Sequence, residues 1–272
     1  MTPTDPESAQ VDAIQALQEN FWSMWSNFGK GPGCALHDDG DSLWFDTPIS
    51  TLPYNTVLRF SGDHDLSARV DRIVRHYAER DVPFTWVVHP TAPDALVDEL
   101  TRRGMQEIDV VDGMIADLAN LPDIPAKPDG FDVREVIGES DTRQALDLIA
   151  WRWKIEQDAI MHLYAINEQF RVGTPQALAR LWAAYDDGVM VSKTALHFTP
   201  GTAGIYGVAT RPEARGRGLA AHLVLWSLHE ARAAGYTTSV LHSSPMAVSL
   251  YRRMGFESIA PFTVYASADW EL

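Results

Sequence analysis

The sequence is poor in cysteine and contains no long apolar run. Its 272 residues include a single cysteine, Cys34, which excludes an internal disulfide and favours a reducing cytoplasm. Cys34 lies in a turn-rich stretch with no basic partner evident, so we do not expect it to be a nucleophile. No apolar run approaches the roughly 18 residues of a membrane helix, and the N-terminus lacks the features of a signal peptide. We therefore expect a cytoplasmic protein that does not interact with membranes.

Positive charge is also scarce. There are 22 Lys and Arg residues against 37 Asp and Glu residues, which leaves a net charge of −15. Such a balance argues against a general affinity for nucleic acid or anionic membranes, and it is compatible with a cationic substrate such as an amine. Hydrophobic residues make up 46% of the chain, and its length suffices for one large or two ordinary domains.

Several motifs of other chemistries are missing from the sequence. There is no P-loop of the form G-x-x-x-x-G-K-[ST], and no G-x-G-x-x-G followed by an acidic residue about 20 positions on. The patterns H-x-x-x-D-G and G-x-S-x-G are absent, and no pair of histidines has metal-ligand spacing. The acidic segment at residues 38–41 lacks the spacing of a calcium loop and predicts a hairpin turn. We therefore expect no bound metal.

A proline-rich segment divides the chain. Residues 119–130, ANLPDIPAKPDG, contain three prolines and no periodicity, which is typical of a linker. We predict an N-terminal domain at 1–120, a linker at 121–130 and a C-terminal domain at 131–272. Apolar periodicity predicts a first helix at 8–27, capped by Ser8. Residues 155–187 are predicted to be helical, with an interruption near Gly173-Thr-Pro175. Ser244 and Pro245 predict the start of a late helix.

The two halves carry a weak internal repeat. Trp86-Val-Val-His89 leads through a predicted helix to Arg102-Arg-Gly-Met105, and Val240-Leu-His242 leads similarly to Arg252-Arg-Met-Gly-Phe256. The order of predicted elements agrees as well. This indicates two related α/β halves.

A glycine loop is the most informative feature. A strand ending at Thr210 is followed by a turn at Arg211-Pro212, the basic loop Arg215-Gly-Arg-Gly218 and a helix that begins near Leu219. This order presents free backbone N–H groups and a helix N-terminus at one point, which suits a pyrophosphate. The corresponding loop of the first half, at 61–65, is acidic and has one glycine, so we expect no such ligand there.

The glycine loop resembles motif A of the Gcn5-related N-acetyltransferase (GNAT) superfamily, V-x-P-x-x-R-G-x-G-[IL]-[GA]. Here the motif reads T-R-P-E-A-R-G-R-G-L-A at 210–220, with Glu213 where the family often has Gln or Arg. Residues 244–256, SPMAVSLYRRMGF, resemble a second GNAT pattern, N-x-x-A-x-x-L-Y-x-x-x-G-F, with Ser244 in place of the leading Asn. The resemblance covers roughly residues 131–266.

This resemblance implies a GNAT fold of class α/β (α+β), with a mixed central sheet flanked by helices and tandem GNAT-like halves of which the first is degenerate. It implies acetyl-CoA, or another acyl-CoA, as the donor. The expected binding residues are those of motif A and its preceding strand, together with one serine: Val208, Ala209, Thr210, Arg215, Gly216, Arg217, Gly218, Leu219, Ala220 and Ser244. A backbone N–H near Val208 would hold the oxyanion.

The resemblance also suggests catalytic residues. Tyr251 stands where the family places the acid that protonates the departing thiolate. The strand of motif A carries no acid, so the base is sought elsewhere: His242 ends the adjacent predicted strand, and Tyr206 is a candidate for substrate or water contact. Three residues in the region of the family's acceptor pocket are candidates to bind an amine, or form a solvated helical face: Glu156, Asp158 and His162.

The leading hypothesis is a GNAT acetyltransferase that moves an acetyl group from acetyl-CoA to a primary amine by direct attack. A small-molecule acceptor is favoured, and a protein or peptide acceptor stays open. The alternative of a different class is a non-catalytic CoA-binding module. We expect a monomer or a homodimer with no nucleic-acid partner.

Overall fold

The computed structural model describes residues 6–267, with side chains from residue 9 onward. The chain divides into two compact units, each assembled from separate stretches. Unit 1 comprises the residues up to Phe21, Asp112–Arg152 and Phe170–Ala260, and unit 2 comprises Trp22–Val111, Trp153–Gln169 and the residues from Pro261 onward. The units therefore follow different bounds from the continuous domains predicted at 1–120 and 131–272.

Unit 1 is a mixed sheet with helices. Its strand order is β5-β10-β9-β8-β7-β6, and only the pair of β9 and β10 is parallel. The strands are β5 (Gln106–Asp117, from Asp112), β6 (Asp132–Glu135), β7 (Ala179–Asp186), β8 (Val189–Thr199), β9 (Thr202–Thr210) and β10 (Thr238–Ser243). The helices are the first part of α1 (Pro6–Ser26), α4 (Glu139–Arg152), α6 (Leu219–Ala233) and α7 (Val248–Arg252).

Unit 2 is a smaller mixed sheet. Its strand order is β1-β2-β3-β4-β11, in which only β3 and β4 run parallel. The strands are β1 (Ala35–Asp38), β2 (Ser42–Asp46), β3 (Thr56–Phe60), β4 (Thr85–Val88) and β11 (Glu257–Ala266, from Pro261). The helices are α2 (Leu66–Glu79), α3 (Leu96–Arg102) and α5 (Ile160–Asn167), with the end of α1.

The two units share a local plan. In each, a strand, a loop and a helix lead to a second strand parallel to the first: β3, α2 and β4 in unit 2, and β9, α6 and β10 in unit 1. The fold-class prediction of mixed sheets with helices in two related halves is confirmed.

Helix α6 packs on the sheet of unit 1 and organises its core. Its buried side chains include Leu223, Val224 and Leu228, which join a cluster with Ile205 of β9 and Leu241 of β10. This packing fixes the start of α6 relative to the ends of β9 and β10, where the predicted ligand loop lies.

Helix α1 begins at Pro6 and ends at Ser26, close to the predicted bounds of 8–27. Ser8 lies inside the helix, so its predicted role as the N-cap is wrong. Leu17 and Phe21, four residues apart, are both buried. No helix among residues 6–267 is sufficiently long and apolar to cross a membrane.

The largest error in the sequence-based prediction concerns residues 155–187, which were expected to be helical. Their second part forms strand β7, which pairs with β6 on one side and β8 on the other. The strand sequence ARLWAAYD contains three alanines and one leucine, which favour helices locally, but pairing on both edges and burial on both faces override that preference.

The predicted linker is held by α6. His222 donates a ring N–H to the carbonyl oxygen of Pro125 at 2.8 Å, and His229 donates to that of Pro122 at 2.9 Å. These two histidines therefore attach the proline-rich segment to α6.

Candidate functional site

The glycine loop lies between β9 and α6, as the sequence predicts. A short turn at Pro212–Ala214 leads to Arg215, and Gly216 and Gly218 have φ values of +74° and +80°. No atom would lie within 4 Å of a Cβ added at either glycine. The glycines are thus required by the left-handed backbone and not by crowding, and the space in front of them is open.

The N-terminus of α6 faces this open space without a capping side chain. Gly218 is the N-cap and has no side chain to bind the first N–H groups of the 15-residue helix. Those N–H groups and the helix dipole favour an anion. The structure thus brings together the predicted binding residues at 216–220.

The arginines of the loop are partly engaged by the protein. Arg215 Nε donates to the carbonyl oxygen of Thr210 at 3.1 Å. The guanidinium of Arg217 lies 4.2 Å from the centre of the Phe131 ring and donates to the carbonyl oxygen of Asp129 at 3.3 Å. Both charges lie beside the loop, but Arg217 would have to give up its contacts in order to reach a phosphate.

Strand β9 carries a bulge near its end. The parallel pairing with β10 covers Thr202–Gly204 and Thr238–Val240, and β9 continues to Thr210. Opposite β8, the register shifts by one residue, so that Gly207 and Val208 together face Thr194. Gly207 has a φ of +56° and is exposed. Val208, the first of the predicted CoA-binding residues 208–210, therefore lies within the bulge, next to the exposed Gly207.

Tyr251 lies on α7, buried at 7% exposure and in edge contact with the ring of Phe256 at 5.9 Å. Burial raises the pKa of Tyr251 to about 12, so its hydroxyl is protonated at neutral pH. Helix α7 begins at Val248. This is three residues later than the predicted start at Pro245, with Ser244 as the N-cap. The carbonyl of Ser244 instead accepts a hydrogen bond from the N–H of Ala247 in the turn before the helix, at 2.9 Å.

His242 and Tyr206, the other proposed catalytic residues, lie on β10 and β9. Burial lowers the pKa of His242 to about 3, and its ring is 4.8 Å from that of Phe21. The imidazole is therefore neutral, the form that a base needs, but it holds a proton weakly. The buried hydroxyl of Tyr206 donates to Asn20 Oδ1 at 2.8 Å, and burial raises its pKa further above the ordinary value. Their catalytic roles stay predictions.

Sequence reasoning missed Lys193, a buried lysine on β8. Its Nζ donates to the carbonyl oxygen of Gly207 at 2.9 Å, within the bulge. The only sequence signal is a charged residue inside the otherwise uncharged strand segment MVSKTALHF.

The candidate amine-binding residues line one cavity in unit 2. Its volume is about 210 Å³, and its walls carry two carboxyl groups, two hydroxyl groups and an imidazole, from Ser50, Thr51, Glu156, Asp158 and His162. The lining is polar and acidic, so it suits a protonated amine.

A second polar cluster in unit 2 surrounds the buried carboxylate of Asp46. Its Oδ2 lies 3.0 Å from His37 Nε2 and 2.9 Å from His76 Nε2, and Oδ1 lies 3.1 Å from Arg80 Nη2. The two imidazoles and this carboxylate form a donor set, within 4.8 Å, of the kind that ligates divalent metals. Arg80 already neutralises the carboxylate, however, and the expectation of no metal stays a prediction.

A known family model covers the region that contains the glycine loop. Residues 143–256 match the model of the acetyltransferase (GNAT) family. Among curated proteins, no sequence matches this chain.

Solved structures have a similar fold over nearly the whole chain. A GCN5-related N-acetyltransferase from Kribbella flavida is 17% identical with a TM-score of 0.67, covering 94% of this chain and 96% of the other. A tandem GNAT protein from the clavulanic acid biosynthesis pathway is 14% identical with a TM-score of 0.61, covering 96% of both chains. A glucosamine N-acetyltransferase region in a fungal multi-domain β-N-acetylglucosaminidase is 13% identical with a TM-score of 0.62, covering 90% of this chain and 34% of that one. At these identities the likeness establishes the fold.

Proposed function

We propose that the chain is a two-domain GNAT acetyltransferase that transfers an acetyl group from acetyl-CoA to the primary amine of a small molecule. The match of residues 143–256 to the acetyltransferase (GNAT) family model and the fold shared with solved GNAT structures support this proposal. The observation that carries the proposal is the open glycine loop at the uncapped N-terminus of α6. Backbone N–H groups at 216–220 would hold the pyrophosphate of CoA, and Arg215 lies beside them to add charge.

The reaction consists of attack by the amine nitrogen on the thioester carbonyl carbon, followed by cleavage of the bond between carbon and sulfur. In the tetrahedral intermediate the carbonyl oxygen is negative, and the Val208 N–H in the bulge is the proposed donor to it. The amine loses a proton and the sulfur leaves as a thiolate.

Tyr251 is the proposed donor to the departing sulfur. Because its pKa of about 12 lies above the ordinary thiol value of about 8.5, the phenol stabilises the thiolate chiefly as a hydrogen-bond donor. His242 is the candidate to accept the proton of the amine, directly or through water. Its pKa of about 3 makes it a weak base, so an amine that binds in its protonated form has to lose its first proton to solvent before it attacks. His242 would accept only the proton that the nitrogen releases after the attack.

Two observations support a small cationic acceptor. The net charge of −15 attracts amines, and the cavity of about 210 Å³ with Glu156 and Asp158 in its walls has the size and sign for a small protonated one. The name of the fungal region with a similar fold, a glucosamine N-acetyltransferase, gives an example of such an acceptor. We further propose that the protein works in the cytoplasm as a monomer or homodimer, since its single cysteine is compatible with a reducing compartment.

The test is an acyl-transfer assay with a panel of acceptors. Purified protein is incubated with acetyl-CoA and with glucosamine, a polyamine, a peptide with a free N-terminus and a lysine peptide, and free thiol release is followed together with product mass. Turnover on small amines supports the proposal, whereas turnover on peptides alone assigns the acceptor to proteins. Tight CoA binding without turnover on any amine, and with the same thiol release in Tyr251→Phe as in the wild-type protein, would establish the non-catalytic CoA-binding alternative.

A further inference from the structure

Lys193 is a buried cation that the reaction described above does not use. Its side chain lies on β8 at 1% exposure. Among the described residues its ammonium has one hydrogen-bond acceptor, the carbonyl oxygen of Gly207 at 2.9 Å. Burying an ammonium group with so few partners is costly. Burial lowers the pKa of Lys193 to about 8, so the group still carries its charge over most of the neutral range.

The sheet around Lys193 leaves room for its side chain. The residues directly across from it are Ala183 on β7 and Ala209 on β9, whose small side chains allow the four-carbon stem to lie on the sheet. At its end, Nζ lies against Gly207, where an added Cβ would be only 2.8 Å away. The alanines and the glycine thus direct the ammonium to one backbone carbonyl.

That carbonyl belongs to the peptide group between Gly207 and Val208, inside the bulge of β9. A peptide group is planar and trans, so its C=O and its N–H point in opposite directions. When Lys193 holds the carbonyl of Gly207, it therefore sets the direction of the Val208 N–H. A cation at the carbonyl end also polarises the group and strengthens the N–H as a donor.

We infer that Lys193 is a positioning residue for acyl transfer, which orients and polarises the peptide group whose Val208 N–H stabilises the oxyanion. The inference rests on the proposed function, which places the thioester carbonyl oxygen at that N–H. Because the negative oxygen develops only during the reaction, the contribution of Lys193 falls on kcat and not on the binding of acetyl-CoA.

The decisive variant is Lys193→Met, which keeps an unbranched side chain only one atom shorter and removes the donor. We expect kcat to fall about 10- to 100-fold, less than the loss when an oxyanion donor is removed outright, with KM for acetyl-CoA nearly unchanged. Thermal stability is expected to stay equal or to rise, because a buried charge is replaced by an apolar group of similar volume.

The matched control is Lys127→Met. Lys127 Nζ also donates to a backbone carbonyl, that of Phe131 at 2.8 Å, but away from the bulge. We expect this variant to retain wild-type kcat. Equal kcat in the two variants would overturn the inference, and so would a loss of activity in Lys193→Met that follows a loss of thermal stability. If Lys193→Met does not fold, Lys193→Leu, which likewise replaces the donor with an apolar group, is measured in its place with the same expectations.

A second measurement does not depend on turnover. S-acetonyl-CoA carries a ketone in place of the thioester, and its carbonyl can be labelled with carbon-13. We expect the carbonyl resonance to move downfield on binding to the wild-type protein, because a donor polarises it, and to move less in Lys193→Met. An equal shift in both proteins would overturn the inference even when the amine assay succeeds. If the shift is larger in the wild-type protein than in Lys193→Met, but the wild-type protein acetylates no amine, the proposed function would be refuted instead.

Discussion

The loop after β3 and the loop after β9 occupy the same place in the plan of their units, but only one is open. In unit 1, the space beside Gly216 and Gly218 is empty and the start of α6 is bare. In unit 2, the carbonyl of Gly62 accepts a hydrogen bond from Arg69 Nη1 at 3.1 Å, and a Cβ at Gly62 would lie 3.2 Å from His64 Nδ1.

Arg69 accounts for most of this difference. It projects from the first turn of α2, is 9% exposed, and its guanidinium lies 4.3 Å from the centre of the Phe60 ring at the end of β3. The protein's own cation thus satisfies the loop carbonyls of unit 2. The same arrangement of strand, loop and helix serves a ligand in one unit and internal packing in the other, and a few side chains decide which.

The largest expected effect comes from closing the open loop with Gly218→Val. A β-branched side chain is strained at a φ of +80° and fills the space before α6. We expect the Kd for acetyl-CoA to rise about 100-fold, or roughly 2.7 kcal/mol, by isothermal titration calorimetry. Gly201→Val is the control, because Gly201 has a φ of +75° and open space in a hairpin turn. An equal loss of affinity in both variants would contradict a role for the loop.

Arg69→Met removes the guanidinium that donates to the carbonyl of Gly62 in the loop after β3. We expect a loss of about 2 kcal/mol of unfolding free energy, because backbone carbonyls lose a charged donor. The number of acetyl-CoA molecules bound per chain should stay at one, since Asp63 and Asp65 of this loop repel a pyrophosphate. Arg72→Met, which removes an exposed ion pair with Asp39, should cost less than about 1 kcal/mol. A second bound acetyl-CoA in Arg69→Met would show that Arg69 alone separates the two loops.

The third contrast concerns catalysis in unit 1. Tyr251→Phe is expected to lower kcat about tenfold without changing the Kd for acetyl-CoA, because a phenol with a pKa of about 12 acts through a hydrogen bond and not as a full general acid. Tyr236→Phe, which keeps the ring in tilted contact with Phe198, is the control with unchanged kcat. Wild-type kcat in Tyr251→Phe would remove this residue from the mechanism.

The smallest effect concerns His89, which holds the position of His242 in the internal repeat. Burial lowers the pKa of His89 to about 4. The unfolded chain takes up a proton below about 6.5, so the contribution of His89 to stability is present above that pH and is lost as pH falls toward 4.

We expect His89→Gln to reduce the fall in unfolding free energy between pH 6.5 and 5.5 by about 1 kcal/mol in denaturant titrations, with kcat unchanged. A loss of kcat in His89→Gln would contradict a purely structural role for this buried imidazole.

Local sequence predicted most elements and the core of the candidate site. Positive φ at Gly216 and Gly218 and the start of α6 at Leu219 depend on adjacent residues, so they can be read from the chain. The prediction was wrong where distant partners override local preference. Strand β7 was expected to be helical, and α7 begins after the predicted serine cap because a turn precedes it.

Clusters of residues that are far apart in the sequence could not be predicted, because only the packing of the elements brings them together. His37, Asp46 and His76 are separated by up to 39 positions, and no spacing rule joins them before β1, β2 and α2 are packed. The hydrogen bond between Tyr206 and Asn20 spans 186 positions, and it gives a proposed catalytic hydroxyl a partner that the motif does not contain.

The family resemblance, the glycine loop and the acidic character of the molecule follow from neighbouring residues or from composition, so they can be recognised without the fold. Two contacts depend on the tertiary structure. Arg69 donates a hydrogen bond to the loop after β3, while the loop after β9 stays accessible, and Lys193 donates to the carbonyl of Gly207 in the bulge of β9. The tertiary structure also decided the protonation of His242, whose pKa falls through burial. Burial and hydrogen-bond partners come from segments far apart in the chain, so they exist only once the sheets and helices have packed.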